Sequence, residues 1–148
     1  ASDVYKRQVL DLAGFFEDIY KKQVEELEQL GIAHFYGFQS DPRPFYAEAD
    51  CVVLPSYHEG MSNVLLEAAA TGRPVITSNT PGCRESVENG KSGLLVEVKN
   101  KEMLYQAMKK MLHCSREERE KMGKAGREKM KREFRKEAVV ERTVRSLE

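Results

Sequence analysis

The run Cys51-Val52-Val53-Leu54-Pro55-Ser56-Tyr57-His58-Glu59-Gly60-Met61-Ser62-Asn63-Val64-Leu65-Leu66-Glu67-Ala68-Ala69-Ala70-Thr71-Gly72 holds three kinds of local structure in order. Cys51 to Leu54 is unbroken apolar sequence, which suits a strand covered on both faces, as in a parallel sheet. Pro55 stops it, and a polar loop containing Gly60 follows. Ser62–Thr71 is then a predicted helix that ends at Gly72. The first turn of such a helix offers free N–H groups at the positive end of its dipole, where a phosphate can sit. Ser62 is equally suited to be a plain N-cap.

The alternation of strand and helix extends in both directions. Upstream, Val9–Leu12 reads as a strand stopped near Gly14. Asp18–Leu30 reads as a helix with Ile19, Val24, Leu27 and Leu30 as its apolar stripe and Gly31 as its stop. Ile32–Phe38 reads as a second strand. Asp41-Pro42-Arg43-Pro44 opens a short helix with Phe45, Ala47 and Ala49 as its apolar side. Downstream, Pro74–Thr77 and Gly93–Val96 read as strands, with a short helix over Arg84–Glu88 between them. The expected fold is α/β, a doubly wound, mostly parallel sheet with right-handed crossovers. Ligands in such sheets bind outside the carboxyl ends of the strands. The loops Gly37–Asp41, Pro55–Met61 and Ser78–Cys83 are therefore the places to look.

After residue 100 the composition shifts to helix. Met103, Leu104, Ala107, Met108, Met111 and Leu112 fall at helical spacing, as expected of core packing. Ser115 with Glu118 reads as a capping box for the next helix. A last helix is expected from about Lys136 to Leu147, with Val139, Val140, Val144 and Leu147 on one side. The expected organisation is an unmatched leader over 1–8, a core over 9–100 and C-terminal helices over 101–148. The chain opens at Ala1 with a strand-like run almost at once, so a fragment is expected.

The chain of 148 residues is 41% hydrophobic and 32% charged, which fits a globular protein and argues against wholesale disorder. Lys+Arg and Asp+Glu both number 24, so net charge makes no case for nucleic acid as a partner. No apolar run approaches a membrane span, and no export signal is seen. Cys51, Cys83 and Cys114 are far apart and form no Cys-x-x-Cys pair, so neither zinc nor a disulfide framework is indicated. A reducing, cytoplasmic setting is expected. The aspartates are scattered, with no Asp-x-Asp, so no metal site is expected.

Glu67 is the unusual residue of the central run. Val64, Leu65, Leu66 and Ala68–Ala70 surround it in sequence, so it is expected to be buried. A buried carboxylate needs a partner. Arg73 or Arg84 could supply it, or a polar ligand such as a sugar hydroxyl or ribose diol. Glu59 precedes Glu67 by eight positions, and this pair straddles a glycine loop and the helix.

Taken together, Pro55-Ser56, Glu59-Gly60-Met61-Ser62-Asn63-Val64-Leu65-Leu66-Glu67-Ala68, Gly72-Arg73-Pro74-Val75-Ile76, Pro81-Gly82-Cys83-Arg84-Glu85 and Gly90-Lys91-Ser92-Gly93-Leu94-Leu95-Val96 resemble the donor-binding C-terminal half of GT-B retaining glycosyltransferases of family four. The resemblance covers about residues 9 to 145. It implies a Rossmann-like domain that binds a nucleotide-sugar, most simply a UDP-sugar, and needs no cofactor. It implies that Glu59 meets the donor sugar near the reacting carbon. Gly60, Met61, Ser62 and Asn63 would hold the sugar and diphosphate through backbone amides. Val64 and Leu65 would pack near ribose and phosphates, Glu67 would accept both ribose hydroxyls, and Gly37 and Phe38 would lie against the base. The variant is similar to bacterial enzymes that build capsule, O-antigen or lipid-linked oligosaccharides. The acceptor would then be a saccharide or a lipid-linked one, and the fragment alone would be inactive without the N-terminal domain.

Other signals carry less. Gly90-Lys91-Ser92 imitates the end of a phosphate-binding loop, but Glu85 stands where a glycine is required and a strand follows. His58 adjoins Glu59 but has no paired base in sequence. Cys83 is expected to pack, and Glu85 to support a helix dipole. Arg116–Arg145 holds 12 basic and 7 acidic side chains, which suits solvated helix faces or peripheral contact with an anionic membrane. Two rivals remain: a nucleotide-sugar 2-epimerase of GT-B fold and a non-enzymatic doubly wound binding module.

Overall fold

The structure, a computed structural model, describes residues 9–56, 60–135 and 144–147. These form an α/β arrangement whose strands pair in parallel. The chain divides into two compact units, residues 1–42 and 43–148.

In the first unit, β1 (Leu10–Ala13) pairs in parallel with β2 (Ala33–Gly37). A 3-10 turn at Asp18–Tyr20 leads into α1 (Lys21–Gln29), so the predicted helix is present with a tighter first turn. Its stripe is narrower than expected. Val24 and Leu27 are half-buried, whereas Ile19 and Leu30 are exposed. The reason is position: Ile19 sits in the 3-10 turn and Leu30 is the C-cap, both off the regular helix. Gly31 and Gly37 both take positive φ, 70° and 69°, and so end α1 and β2 where a side chain would be strained.

In the second unit, α2 (Arg43–Glu48) leads to a three-stranded parallel sheet in the order β3 (Val52–Leu54), β4 (Val75–Ser78), β5 (Gly93–Val96). Tyr46, not Ala47, is the residue α2 buries, while Phe45 and Ala49 are half-buried. β4 lies between two partners, and all four of its residues are buried. β3 pairs only with β4 in this sheet, and its residues are half-buried rather than covered on both faces. Thr77 makes burial of its hydroxyl tolerable by donating to the Leu54 carbonyl at 2.8 Å. Gly93 is required on β5, because a Cβ there would stand 2.0 Å from the Val75 carbonyl oxygen.

Between β3 and β4 runs α3 (Asn63–Ala70), and a 3-10 turn at Arg84–Ser86 precedes β5. Two helices follow: α4 (Lys101–His113) and α5 (Arg116–Glu133). Asn100 caps α4 by accepting from the Met103 N–H at 2.9 Å, and Ser115 caps α5 by accepting from the Glu118 N–H at 3.1 Å. In the expected stripe of α4, Ala107 and Met111 are buried among Ile76, Leu94 and Val96. Met103 and Leu112 remain exposed. Residues 144–147 are helical, with Val144 and Leu147 exposed. The rest of the expected last helix, including Val139 and Val140, lies outside the described residues.

Candidate functional site

The site is built around α3. Ser62 is the N-cap, and its Oγ accepts from the Leu65 N–H at 3.5 Å. The start of the helix is held from outside as well. The Ser62 N–H donates to the Gly82 carbonyl at 3.2 Å, and the Gly82 N–H donates to Glu85 Oε2 at 2.8 Å. Glu85 thus fixes the Pro81–Arg84 loop against the loop that enters α3. Cys83 of that loop is fully buried, as its packing role requires.

The inward face of α3 is Leu65, Ala68 and Ala69, and the spacing i, i+3, i+4 accounts for it. Leu65 is wholly buried, so its side chain belongs to the core and only its backbone faces the cap. Gly60, Met61, Asn63 and Val64 are exposed, and Ser62 is buried.

The expected burial of Glu67 is corrected by the structure: it is exposed. Glu67 lies two residues past Leu65, which is about 200° round a helix. The apolar run that surrounds it in sequence therefore does not surround it in space. The expected arginine partner is absent too. Among the described residues the group that the Glu67 carboxylate acts on is the Tyr46 phenol, not an arginine. Arg73 instead spends its guanidinium on α2, with Nε donating to the Tyr46 carbonyl at 2.9 Å and Nη2 to the Ala47 carbonyl.

One group does feel Glu67. Tyr46 is only 4% exposed and packs with Leu65 and Ala68. Burial, then the negative charge of Glu67, push its phenol up to about 12. Hydrogen bonding toward the Glu67 carboxylate adds to the rise. The Tyr46 hydroxyl is itself buried, and no described residue meets it at full hydrogen-bond geometry. Sequence reading passed over Tyr46, because a six-residue helix has too few turns for periodicity to select its buried residue.

On its other side, Glu67 lines an open cavity of about 460 Å³ between α3 and α5, with Arg127, Lys131, Phe134 and Arg135. A smaller cavity of about 120 Å³ lies at the carboxyl ends of the sheet, lined by Pro55, Ser78, Val96 and Asn100 among others.

Gly37 and Phe38 belong to the first unit. Phe38 follows β2, is exposed, and stacks on Phe15 with ring centroids 5.7 Å apart. Glu59 and its neighbour His58 lie outside the described residues. The rejected loop at Gly90-Lys91-Ser92 is structural: the Ser92 hydroxyl is buried and accepts from the Glu88 N–H at 2.8 Å. Burial pushes the Cys51 thiol up to about 12 and raises that of Cys114. Among the described residues, no cluster of three or more His, Cys, Asp or Glu side chains is arranged to hold a metal.

Comparison with known proteins gives the context of this geometry. The profile of the family described as glycosyl transferases group 1 matches residues 4–129. The lipopolysaccharide core biosynthesis glycosyltransferase LpsE of Rhizobium meliloti (strain 1021) is 31% identical over 84% of this chain and 36% of its own length. Among solved structures, sucrose-phosphate synthase from Thermosynechococcus elongatus superposes with a TM-score of 0.77 at 28% identity, over 93% of this chain and 38% of that one. Anabaena HepE, solved in complex with UDP, superposes with a TM-score of 0.76 at 21% identity, over 98% of this chain and 43% of that one. The chain spans roughly a third to two-fifths of the length of these proteins.

Proposed function

The chain belongs to the glycosyl transferases group 1 family, and on that footing we propose that it is the nucleotide-sugar-binding part of a retaining glycosyltransferase. The observation that carries the proposal is the pairing of a capped, braced helix start at Ser62 with an exposed carboxylate one turn later at Glu67. A diphosphate needs the first feature, and a ribose diol needs the second.

In this reading the donor is a UDP-sugar carrying a hexose. Backbone N–H groups of Gly60, Met61 and Asn63 meet the sugar and diphosphate, and Val64 packs beside them. Glu67 accepts from both ribose hydroxyls. Gly37 and Phe38 lie against the base, and Glu59 positions the sugar hydroxyls. The dipole and N–H groups of α3 stabilise the negative charge that the leaving diphosphate takes on as its bond to the sugar's anomeric carbon breaks. No metal or cofactor is required for that. The acceptor is a glycan or lipid-linked saccharide of a bacterial surface polysaccharide, taken up by a separate N-terminal domain. The protein would then work in the cytoplasm or peripherally at the inner face of the plasma membrane. Among the described residues, no helix is long and apolar enough to cross a membrane.

The test is titration of UDP followed by amide NMR, with Glu67→Ala as control. Saturable shifts at Gly60–Asn63, weakened in the variant, are expected. A folded protein that shows no shifts there, both in this chain and in the full-length protein, rejects the pocket. Transfer from a radiolabelled UDP-hexose by the full-length protein, unchanged by EDTA, checks the reaction itself.

A further inference from the structure

Tyr46 carries a hydroxyl that the fold does not use. The residue is 4% exposed, its ring lies in the cluster with Leu65 and Ala68 of α3, and its oxygen is buried without a partner among the described residues. A buried hydroxyl left unpaired is costly, and a phenylalanine would avoid the cost while filling the same space. Its backbone cannot swing the ring out easily, because Arg73 grips the carbonyls of Tyr46 and Ala47. Close by stands Glu67, an exposed carboxylate whose charge and acceptor oxygens act on that phenol. A buried donor and an exposed acceptor are thus neighbours, in a contact that falls short of full hydrogen-bond geometry.

We propose that Tyr46 is a positioning residue for Glu67: when a nucleoside diphosphate binds, the phenol donates to one carboxylate oxygen and turns the rest of the carboxylate toward the ribose diol. This rests on the reading of Glu67 as the ribose acceptor. A carboxylate has about four acceptor sites, so it can take one bond from the phenol and two from the ribose. The first bond fixes the rotation of a side chain that is otherwise free at the surface, so less entropy is lost on binding. The phenol stays protonated, and therefore a donor, throughout the neutral range, since burial and the Glu67 charge hold its pKa up to about 12.

The experiment is calorimetric titration of the full-length protein with UDP and with 2′,3′-dideoxy-UDP, for wild type, Tyr46→Phe, Glu67→Ala and the double variant. Tyr46→Phe is expected to weaken UDP about fivefold. It should leave dideoxy-UDP unchanged, and it should add nothing to Glu67→Ala. Its unfolding midpoint should equal or exceed that of wild type, because the change removes an unpaired buried hydroxyl. If Glu67→Ala weakens UDP but Tyr46→Phe does not, the positioning role is wrong and the ribose reading stands. If Glu67→Ala itself leaves UDP binding intact, the ribose reading fails and takes the proposal with it. Equal losses for both nucleotides with a lowered midpoint would make Tyr46 merely structural, which also overturns the proposal.

Discussion

The two faces of α3 differ in what holds them. The inward face is fixed by contact at the closest range the chain allows. Gly72, just past the helix, meets Gly123 of α5 so closely that a Cβ on Gly123 would stand 1.9 Å from the Gly72 carbonyl oxygen. A Cβ on Gly126 would instead find ordinary contact with Ala69 and Ser92. The outward face holds Asn63, Val64 and Glu67, which are exposed. The first face sets where the helix is, and the second is open to solvent. In the proposed reading, structure and ligand binding fall on opposite sides of eight residues.

Four measurements would break or sharpen that division. The largest effect belongs to the inner face. Gly123→Ala must push backbone from backbone, at a cost of roughly 3 kcal/mol. Circular dichroism should show a fall in unfolding midpoint of about 10 °C. A midpoint within two degrees of wild type would show that the crossing yields easily.

Next comes Glu67→Ala on the outer face. Loss of hydrogen bonds to a charged group is worth about 1.5–3 kcal/mol, so the Kd for UDP should rise roughly tenfold to a hundredfold. Stability should change by no more than about 0.5 kcal/mol. An unfolding midpoint that falls with affinity would contradict the separation of the faces.

Ser62 sits at the boundary between them. Its hydroxyl is already engaged as a cap, so Ser62→Ala should cost about 0.5–1 kcal/mol of stability. UDP binding measured by calorimetry should change little, because the ligand would use the backbone rather than the hydroxyl.

The smallest effect concerns pH. Tyr46 and Cys51 both have folded pKa values near 12, above their ordinary values of 10.0 and 9.0. Ionisation is therefore easier in the unfolded chain. Their contribution to stability is complete below about pH 9 and is lost as pH rises toward 12. Unfolding midpoints recorded from pH 8 to 11 should decline, and Tyr46→Phe should flatten the upper part of the decline.

Much of this was legible in the sequence. β4 and β5 could be read because continuous apolar runs are bounded by Pro74 and Gly93. The caps Ser62 and Ser115 are local chemistry and appear where the sequence places them. What was not legible depends on direction in space. An apolar neighbourhood in sequence suggested that Glu67 was buried, yet its angle around the helix puts it on the open side. Tyr46 was missed because the carboxylate that acts on it lies 21 positions away. The contact of Gly72 with Gly123 joins elements 51 residues apart, and nothing local to either glycine announces it.

The crossing at Gly72 and Gly123 has a practical consequence for anyone redesigning the molecule. Because main chain rests on main chain there, the axis of α3 has a hard stop that holds as long as position 123 stays glycine. Exposed Gly60 and Met61 form a tip on a fixed shank. Sequences can be exchanged at that tip without moving the helix behind it, with the shank serving as a common fitting from one variant to the next.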